Sequence, residues 1–460
     1  MMRLLTFLIL AGSFSLTVYA QQPNFVVIIA DDLAWNDVGA YGHPTIRTPN
    51  IDRLAAEGMR FDLAFLTTSS CSPSRSSIMT GRYPHNTGAG ELHLPLPADQ
   101  VLFPGLLRQA GYYTAAAGKW HLGQSVIAQL DTVYARTGPS GAERWIDALR
   151  ERPPDQPFFF WLAAVDPHRG YEADILDQPH RVEEVVLPPF IPDTPEVRAD
   201  FALYYDEVAR LDRYVGDVMA ELKRQGVDQN TVVLFLSDNG RPFPRCKTTL
   251  YDCGVKTPFI VRWPEHVKAG SHSRSLVSSI DLAPTLLDLA GRPPSPAFQG
   301  VSFAPVLSEP TLSVRDYVYA EHNWHDYQAR ERSVRSSRYL YIRNDLPELP
   351  GTPPADAVNS PTFAAMRALM QSGGLLPHQM GCFTVPRPRD ELYDTVMDPH
   401  QLRNLAEEPA YAGVLQAFQE IQQQWTEDTA DTMPEVLTPD GFDRVTGAKI
   451  ISTAHPNLRQ

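Results

Sequence analysis

The chain is poor in cysteine, with four in 460 residues (Cys71, Cys246, Cys253 and Cys382). That excludes a disulfide-built scaffold, and no two of the four have the close spacing of a zinc knuckle. Positive charge is also short: 40 Lys and Arg stand against 54 Asp and Glu, a formal net charge of -14. Nucleic acid is therefore excluded as a partner, because neutralising phosphates needs a basic surface. Any anionic ligand must instead be met by a local basic pocket. Beyond the N-terminal segment there is no apolar run long enough for a membrane span, and there are no internal repeats.

Hydrophobic residues make up 43% of the chain, enough to bury a large core and build one large domain plus a smaller one. At the N-terminus Arg3 precedes the apolar run Leu4 to Leu16, and Val18-Tyr19-Ala20 supplies small residues at a signal-peptidase spacing. Residues 1–20 read as a removable signal, since the run falls short of the roughly 20 residues that span a bilayer. The protein is expected to be exported, to the periplasm or beyond. No Cys follows the cleavage site, which disfavours a lipoprotein.

Four apolar runs share one form: short, bulky, and ending in charged or metal-competent side chains. Phe25–Ala30 runs into Asp31-Asp32, and Tyr113–Ala117 into Gly118-Lys119-Trp120-His121. Phe158–Val165 ends in Asp166-Pro167-His168, and Val232–Leu236 in Ser237-Asp238-Asn239-Gly240. Helical periodicity over Thr48–Glu57 and Ala199–Gln225 lies between them, and this alternation predicts a mainly parallel α/β sheet. Ligands of such a sheet bind beyond the carboxyl ends of the strands, so the four polar clusters should gather into a single site.

From about residue 315 the texture changes. Ser333–Asn344 reads as a strand pair, Pro347–Pro361 as a proline-rich loop, Glu391–Asp394 as a lead into a helix over Tyr411–Trp425. The expected division is a catalytic α/β domain over residues 21–320 and a smaller C-terminal subdomain over 321–460.

The most specific stretch is Cys71-Ser72-Pro73-Ser74-Arg75, followed by Thr80-Gly81-Arg82. It resembles the sulfatase signature Cys/Ser-x-Pro-x-Arg with its downstream Thr-Gly-Arg. The early Asp-Asp, Gly-Lys-Trp-His, Asp-Pro-His, Ser-Asp-Asn-Gly and the C-terminal Glu-Leu-Tyr-Asp extend the resemblance over nearly the whole mature chain. Within the formylglycine-dependent (type I) sulfatases, Asp238–Pro244, Lys247–Tyr251, Asp166–Arg169 and Pro188–Pro195 look most like the heparan N-sulfatase (sulfamidase) group. The segment Gly170–Val186 departs from that group in looking short.

The resemblance implies an alkaline-phosphatase-like fold whose smaller C-terminal α+β part carries an antiparallel sheet. It also implies conversion of Cys71 by a maturation enzyme to formylglycine, whose hydrated aldehyde supplies a hydroxyl nucleophile; the second hydroxyl can then expel sulfate. Asp31, Asp32, Asp238 and Asn239, with the modified Cys71, form a hard oxygen set suited to calcium, with magnesium left open, and unsuited to zinc. Arg75, Lys119 and Lys247 are the cations expected around the sulfate, with Lys256 competing for the place of Lys247. Lys119 and His121 are expected to project from one side of an extended segment. His168 is the expected general acid and His121 the group that hydrogen-bonds the nucleophile, although these roles could be swapped. His93, His322, His325 and Asp326 are candidates to contact the sugar.

The activity implied is hydrolysis of a sulfate ester or sulfamate on a carbohydrate, at an end sugar because that group has pocket-shaped sites. The expected partners are a sulfated carbohydrate and the formylglycine-generating enzyme, with a homodimer left open. Two other readings compete. A phosphodiesterase or phosphonate hydrolase of the same superfamily would normally present Thr or Ser and further metal-ligating His and Asp. A catalytically silent glycan-binding homologue would not need every catalytic position filled. If Cys71 is consumed by chemistry, one disulfide and one free thiol is the simplest count for the rest, Cys246 with Cys253 being one pairing.

Overall fold

The computed structural model describes residues 22–450; the expected signal, residues 1–20, lies outside the described residues. Ten strands belong to the first part of the chain: β1 (Asn24–Ala30), β2 (Met59–Phe61), β3 (Ala64–Phe65), β4 (Tyr113–Gly118), β5 (Thr132–Ala135), β6 (Phe158–Ala163), β7 (Thr231–Ser237), β8 (Ile260–Arg262), β9 (Ser271–Ser273) and β10 (Val277–Ser278). Eight of them form one sheet in the order β5-β4-β6-β1-β7-β8-β2-β9, with β3 and β10 paired separately. From β5 across to β7 every pairing is parallel, and β8 runs antiparallel to both its neighbours.

The four apolar runs are thus adjacent central strands, and their continuous hydrophobicity has a direct cause: both faces of the sheet are covered. On one face Val26, Ile28, Phe160, Leu162, Val233 and Phe235 pack with residues of the helices Pro49–Glu57, Trp145–Glu151 and Pro195–Arg224. On the other, Val27, Ile29, Phe159, Trp161, Leu234 and Leu236 meet the helices Phe103–Gln109 and Leu282–Leu289. Each fully buried Val, Ile, Leu or Phe there contributes about 1.5–3 kcal/mol.

The strands also end nearly flush. Ala30 is in register with Ser237, Ile29 with Ala163, and Gly118 with Ala163. The polar residues that follow therefore emerge at one edge.

The C-terminal part is a four-stranded antiparallel sheet, β11 (Val318–His322), β12 (Glu331–Arg335), β13 (Tyr339–Asn344) and β14 (Asp390–Asp394), in sequential order. One face packs Val334, Tyr341 and Leu392 with Phe418 of the helix Ala412–Thr429. The other packs Val318, Ala320, Leu340 and Ile342 with Phe65 of β3 and with Leu250 and Val255 from the segment after β7, which joins this sheet to the first part of the chain.

Several boundaries differ from the expectations. The helix expected over 199–225 begins at Pro195, because Thr194 caps it by accepting from the Val197 N–H at 3.4 Å and proline suits its first turn. Strand β6 stops at Ala163 because the Val165 N–H turns away to the Ser140 carbonyl at 2.6 Å. The proline-rich stretch 347–361 contains a short helix, Ala355–Val358. Cys246 and Cys253 form a disulfide with Cα atoms 4.8 Å apart, and Cys71 and Cys382 are free and buried. Among the described residues no helix is long and apolar enough to cross a membrane.

Candidate active site

The nucleophile candidate sits at the first position of the helix Cys71–Thr80, every residue of which is buried. Its Sγ lies 3.7 Å from Asp31 Oδ1 and 3.9 Å from Asp32 Oδ1, both carboxylates being wholly inaccessible at the end of β1. Asp238, just past β7, accepts from the Asp32 N–H at 3.2 Å through Oδ1 and from Arg75 Nε at 2.8 Å through Oδ2. Gly240 is required behind it, since a Cβ there would stand 1.8 Å from the Cys253 carbonyl oxygen.

Three cations answer these three carboxylates. Arg75 is fully buried: besides Asp238 it donates to the Lys119 carbonyl at 2.8 Å, and its Nη2 lies 3.9 Å from Asp31. Lys119 donates to Asp31, and Lys247 to Asp32 at 2.8 Å. Burial would raise the Asp31 carboxyl, but Lys119, His168, Arg75 and Lys247 together hold it well below the usual carboxylate range. Burial and the charge of Asp31 push Asp238 the other way, up to about 7.

The residues fit a hard divalent cation. Ligand atoms of Asp31, Asp32 and Cys71 all lie within 4.8 Å of one another. Asn239 turns its Nδ2 to Asp32 and to the Gly240 carbonyl, while its buried Oδ1 has no partner. An acceptor buried without a donor is costly, and a cation would satisfy it. With three carboxylates already matched by three cations, a dication would leave the cluster net positive, as an anionic substrate requires.

His168 stands at the rim, 3.5 Å from Asp356 and 3.9 Å from Asp32 through Nε2. His121 meets His93 at 2.9 Å through Nε2, and its buried Nδ1 has no partner. Burial, with Lys119 and His93 beside it, holds the His121 imidazole well below its ordinary range, so it is neutral at neutral pH.

The expectation that Lys119 and His121 share one side of an extended segment is corrected. The backbone is left-handed at Gly118 (φ 99°) and His121 (φ 56°), so the segment is not regularly extended and strand alternation does not set their directions. Asp32 (φ 71°) and His93 (φ 67°) are left-handed too, and such non-glycine residues persist only where their surroundings over-determine them. Lys256 is not at the site: its Nζ lies 3.6 Å over the Trp35 ring, and burial lowers it to about 8.

The sugar-contact candidates divide. His93 joins His121, and its N–H donates to Ser72 Oγ at 2.8 Å. His325 is buried against Ser70 Oγ at 2.7 Å, and Asp326 accepts the Ala355 N–H at 2.9 Å. His322 lines a small cavity of about 60 Å³ with His325, Arg245, Tyr251, Glu331 and Arg387, and neither of its ring nitrogens has a partner.

Asp356 was not legible in the sequence. Its carboxylate lies 3.5 Å from both Lys247 and His168, yet it falls in the proline-rich stretch with no motif around it. Ser70 and Arg169 are likewise positioned only by the fold; Arg169 holds Asp200 in a bidentate pair at 2.8 Å.

Comparison with known proteins gives matching results. The sulfatase family profile matches residues 23–292, and the profile for the C-terminal part of N-sulphoglucosamine sulphohydrolase matches 246–345. Human N-sulphoglucosamine sulphohydrolase is 33% identical over 92% of this chain and 93% of its own length. An ulvan-active sulfatase of Formosa agariphila is 29% identical over 90% of this chain and 77% of its own. A solved structure of a protein in complex with its substrate, D-glucosamine-2-N,6-O-disulfate, superposes with a TM-score of 0.69 at 22% identity, covering 90% of this chain and 99% of that one.

Proposed function

The chain belongs to the sulfatase family, and from that premise we propose that it is an exported hydrolase removing sulfate from the end sugar of a sulfated glycan. The leading substrate is a glucosamine N-sulfate. One observation carries the reading: Cys71 Sγ is within 4 Å of two buried carboxylates, a placement that disfavours a thiolate and would suit an oxygen nucleophile beside a cation held by those carboxylates. The 33% identity to the human sulfamate hydrolase over almost both whole chains supports the N-sulfate. The ulvan-active relative supports an O-sulfated sugar as the second reading. A disulfide between Cys246 and Cys253 fits an oxidising compartment and thus export.

Calcium, or magnesium, held by Asp31, Asp32, Asp238, Asn239 and the modified Cys71 would polarise sulfate oxygens and lower the pKa of the nucleophilic hydroxyl. Formylglycine at position 71 would supply that hydroxyl. The remaining roles fall to the chain's own residues. Lys119 and Lys247 place positive charge where sulfate oxygens would lie. Arg75 holds Asp238 and the Lys119 backbone in place. His121, neutral and with Nδ1 unpartnered, can accept a proton there. His168, with its Nε2 3.5 Å from Asp356, can donate a proton to the leaving nitrogen or oxygen.

Sulfate release by the formylglycine-bearing protein, with calcium supplied, should be measured on N-sulfoglucosamine and on a panel of O-sulfated sugars. Release from the N-sulfated sugar alone is expected; release from O-sulfated sugars alone would keep the mechanism and reject that substrate. On the sugar, His168→Gln should lower kcat by about 100- to 10,000-fold, the usual worth of a positioned acid. On an aryl sulfate, whose phenolate leaves without a proton, the loss should be far smaller. Equal losses on both would remove His168 from the acid role.

A further inference from the structure

The next inference rests on the glycan-sulfatase reading and concerns the part of the glycan beyond the scissile sulfate. β5 lies beside β4 at the edge of the large sheet, parallel to it, with Ala135 in register with Gly118. Lys119 is the first residue past β4 and Arg136 the first past β5, so both emerge at the same carboxyl edge of the sheet. They line one open cleft of about 360 Å³ with His168, Arg169 and Arg210. The loop after Arg136 is fastened to the segment that bears His168: the Ser140 carbonyl accepts the Val165 N–H at 2.6 Å, and Glu143 accepts the Ser140 N–H at 2.9 Å.

The charges of this cleft are mostly spent. Lys119 is paired with Asp31, Arg169 with Asp200, and Arg210 with Asp166 at 2.6 Å and with Glu207. Arg136 differs. It is exposed, and among the described residues it makes neither an ion pair nor a hydrogen bond. Of the acids lining the cleft, Asp166 and Glu207 are both taken by Arg210. Glu172 is exposed, and no ion pair joins it to Arg136. A cation without a partner therefore shares one open cleft with the proposed sulfate and proton-donor groups.

We propose that Arg136 is a specificity-determining residue that binds an anionic group, carboxylate or sulfate, on the sugar adjoining the one that carries the scissile sulfate. The substrate is then a polyanionic oligosaccharide engaged by its end, not an isolated sugar.

The test compares kcat/KM of the wild type and Arg136→Gln on four probes. These are N-sulfoglucosamine alone, its disaccharide with a uronate, that disaccharide with the carboxyl reduced to an alcohol, and the reduced disaccharide bearing a sulfate ester on the second sugar. The substitution should leave the monosaccharide and the neutral disaccharide unchanged and lower the anionic probes about fivefold, through KM, with Arg136→Lys recovering part of the loss. A loss on the uronate alone identifies a carboxylate reader, and a loss on the sulfate ester alone a sulfate reader. Unchanged values on both anionic probes, or one equal loss on all four, overturns the inference while leaving the glycan-sulfatase reading intact. A wild type inactive on every probe sinks the N-sulfate reading and this inference with it.

Discussion

Cys71→Ala should abolish sulfate release, by at least about 10,000-fold in kcat, the scale seen when a covalent nucleophile is removed. The fold should survive. The Cys71 side chain shares a small apolar cluster with Leu92 and Trp324, so truncation should cost about 1 kcal/mol. Titration of a sulfated sugar, followed by calorimetry with calcium present, should show binding by the variant. Residual turnover near the wild-type rate would remove Cys71 from the chemistry altogether. A companion result is expected without any mutation: protein produced where no maturation enzyme acts on Cys71 should be folded and inactive. Burial pushes the Cys71 thiol well above its ordinary range, and the carboxylates of Asp31 and Asp238 push the same way, against Lys119 and Lys247. At neutral pH the unconverted side chain is therefore a protonated thiol, a poor nucleophile. Mass spectrometry of the peptide containing residue 71 separates the two forms, and activity should scale with the aldehyde fraction.

Arg75→Met should be the most destabilising single change at the site, by about 3–5 kcal/mol, because it removes one partner of a buried ion pair and leaves the other unpaired. Arg75 is wholly buried, with Nε 2.8 Å from Asp238 and Nη2 3.9 Å from Asp31. Met fills much of the space but supplies neither charge nor the bond to the Lys119 carbonyl. The loss should be read from denaturant unfolding with a chelator present. Saturating calcium should recover part of it, since a cation bound to the native state stabilises that state by mass action and neutralises the same carboxylates. If calcium recovers nothing while the variant still folds, the two carboxylates are not part of a cation site. Activity should fall with stability restored, because the Lys119 backbone loses its anchor.

Much of the site was legible because its residues lie next to one another in sequence at the ends of strands. Asp31-Asp32, Lys119 and Asp238-Asn239 each stand within two residues of a strand's end and His168 a few residues further on, and parallel strands with flush ends deliver them to one edge. The continuous apolar character of β1, β6 and β7 is likewise legible along each run, and the covering of both sheet faces explains it.

The tertiary structure decided what depends on distant partners. Asp356 reaches Lys247 and His168 from a proline-rich stretch that has no periodicity or motif. The difference between Lys247 and Lys256 is a matter of which loop turns inward, and the sequence near each offers a cation of the same kind. Arg136 carries no signal of its own, and it becomes notable only when the register of β5 with β4 places it beside Lys119 and the pairing of every neighbouring cation leaves it alone. Strand ends and periodicity are written in neighbouring residues, whereas charge pairing and exposure are sums over residues hundreds of positions apart, and only the folded chain performs that sum.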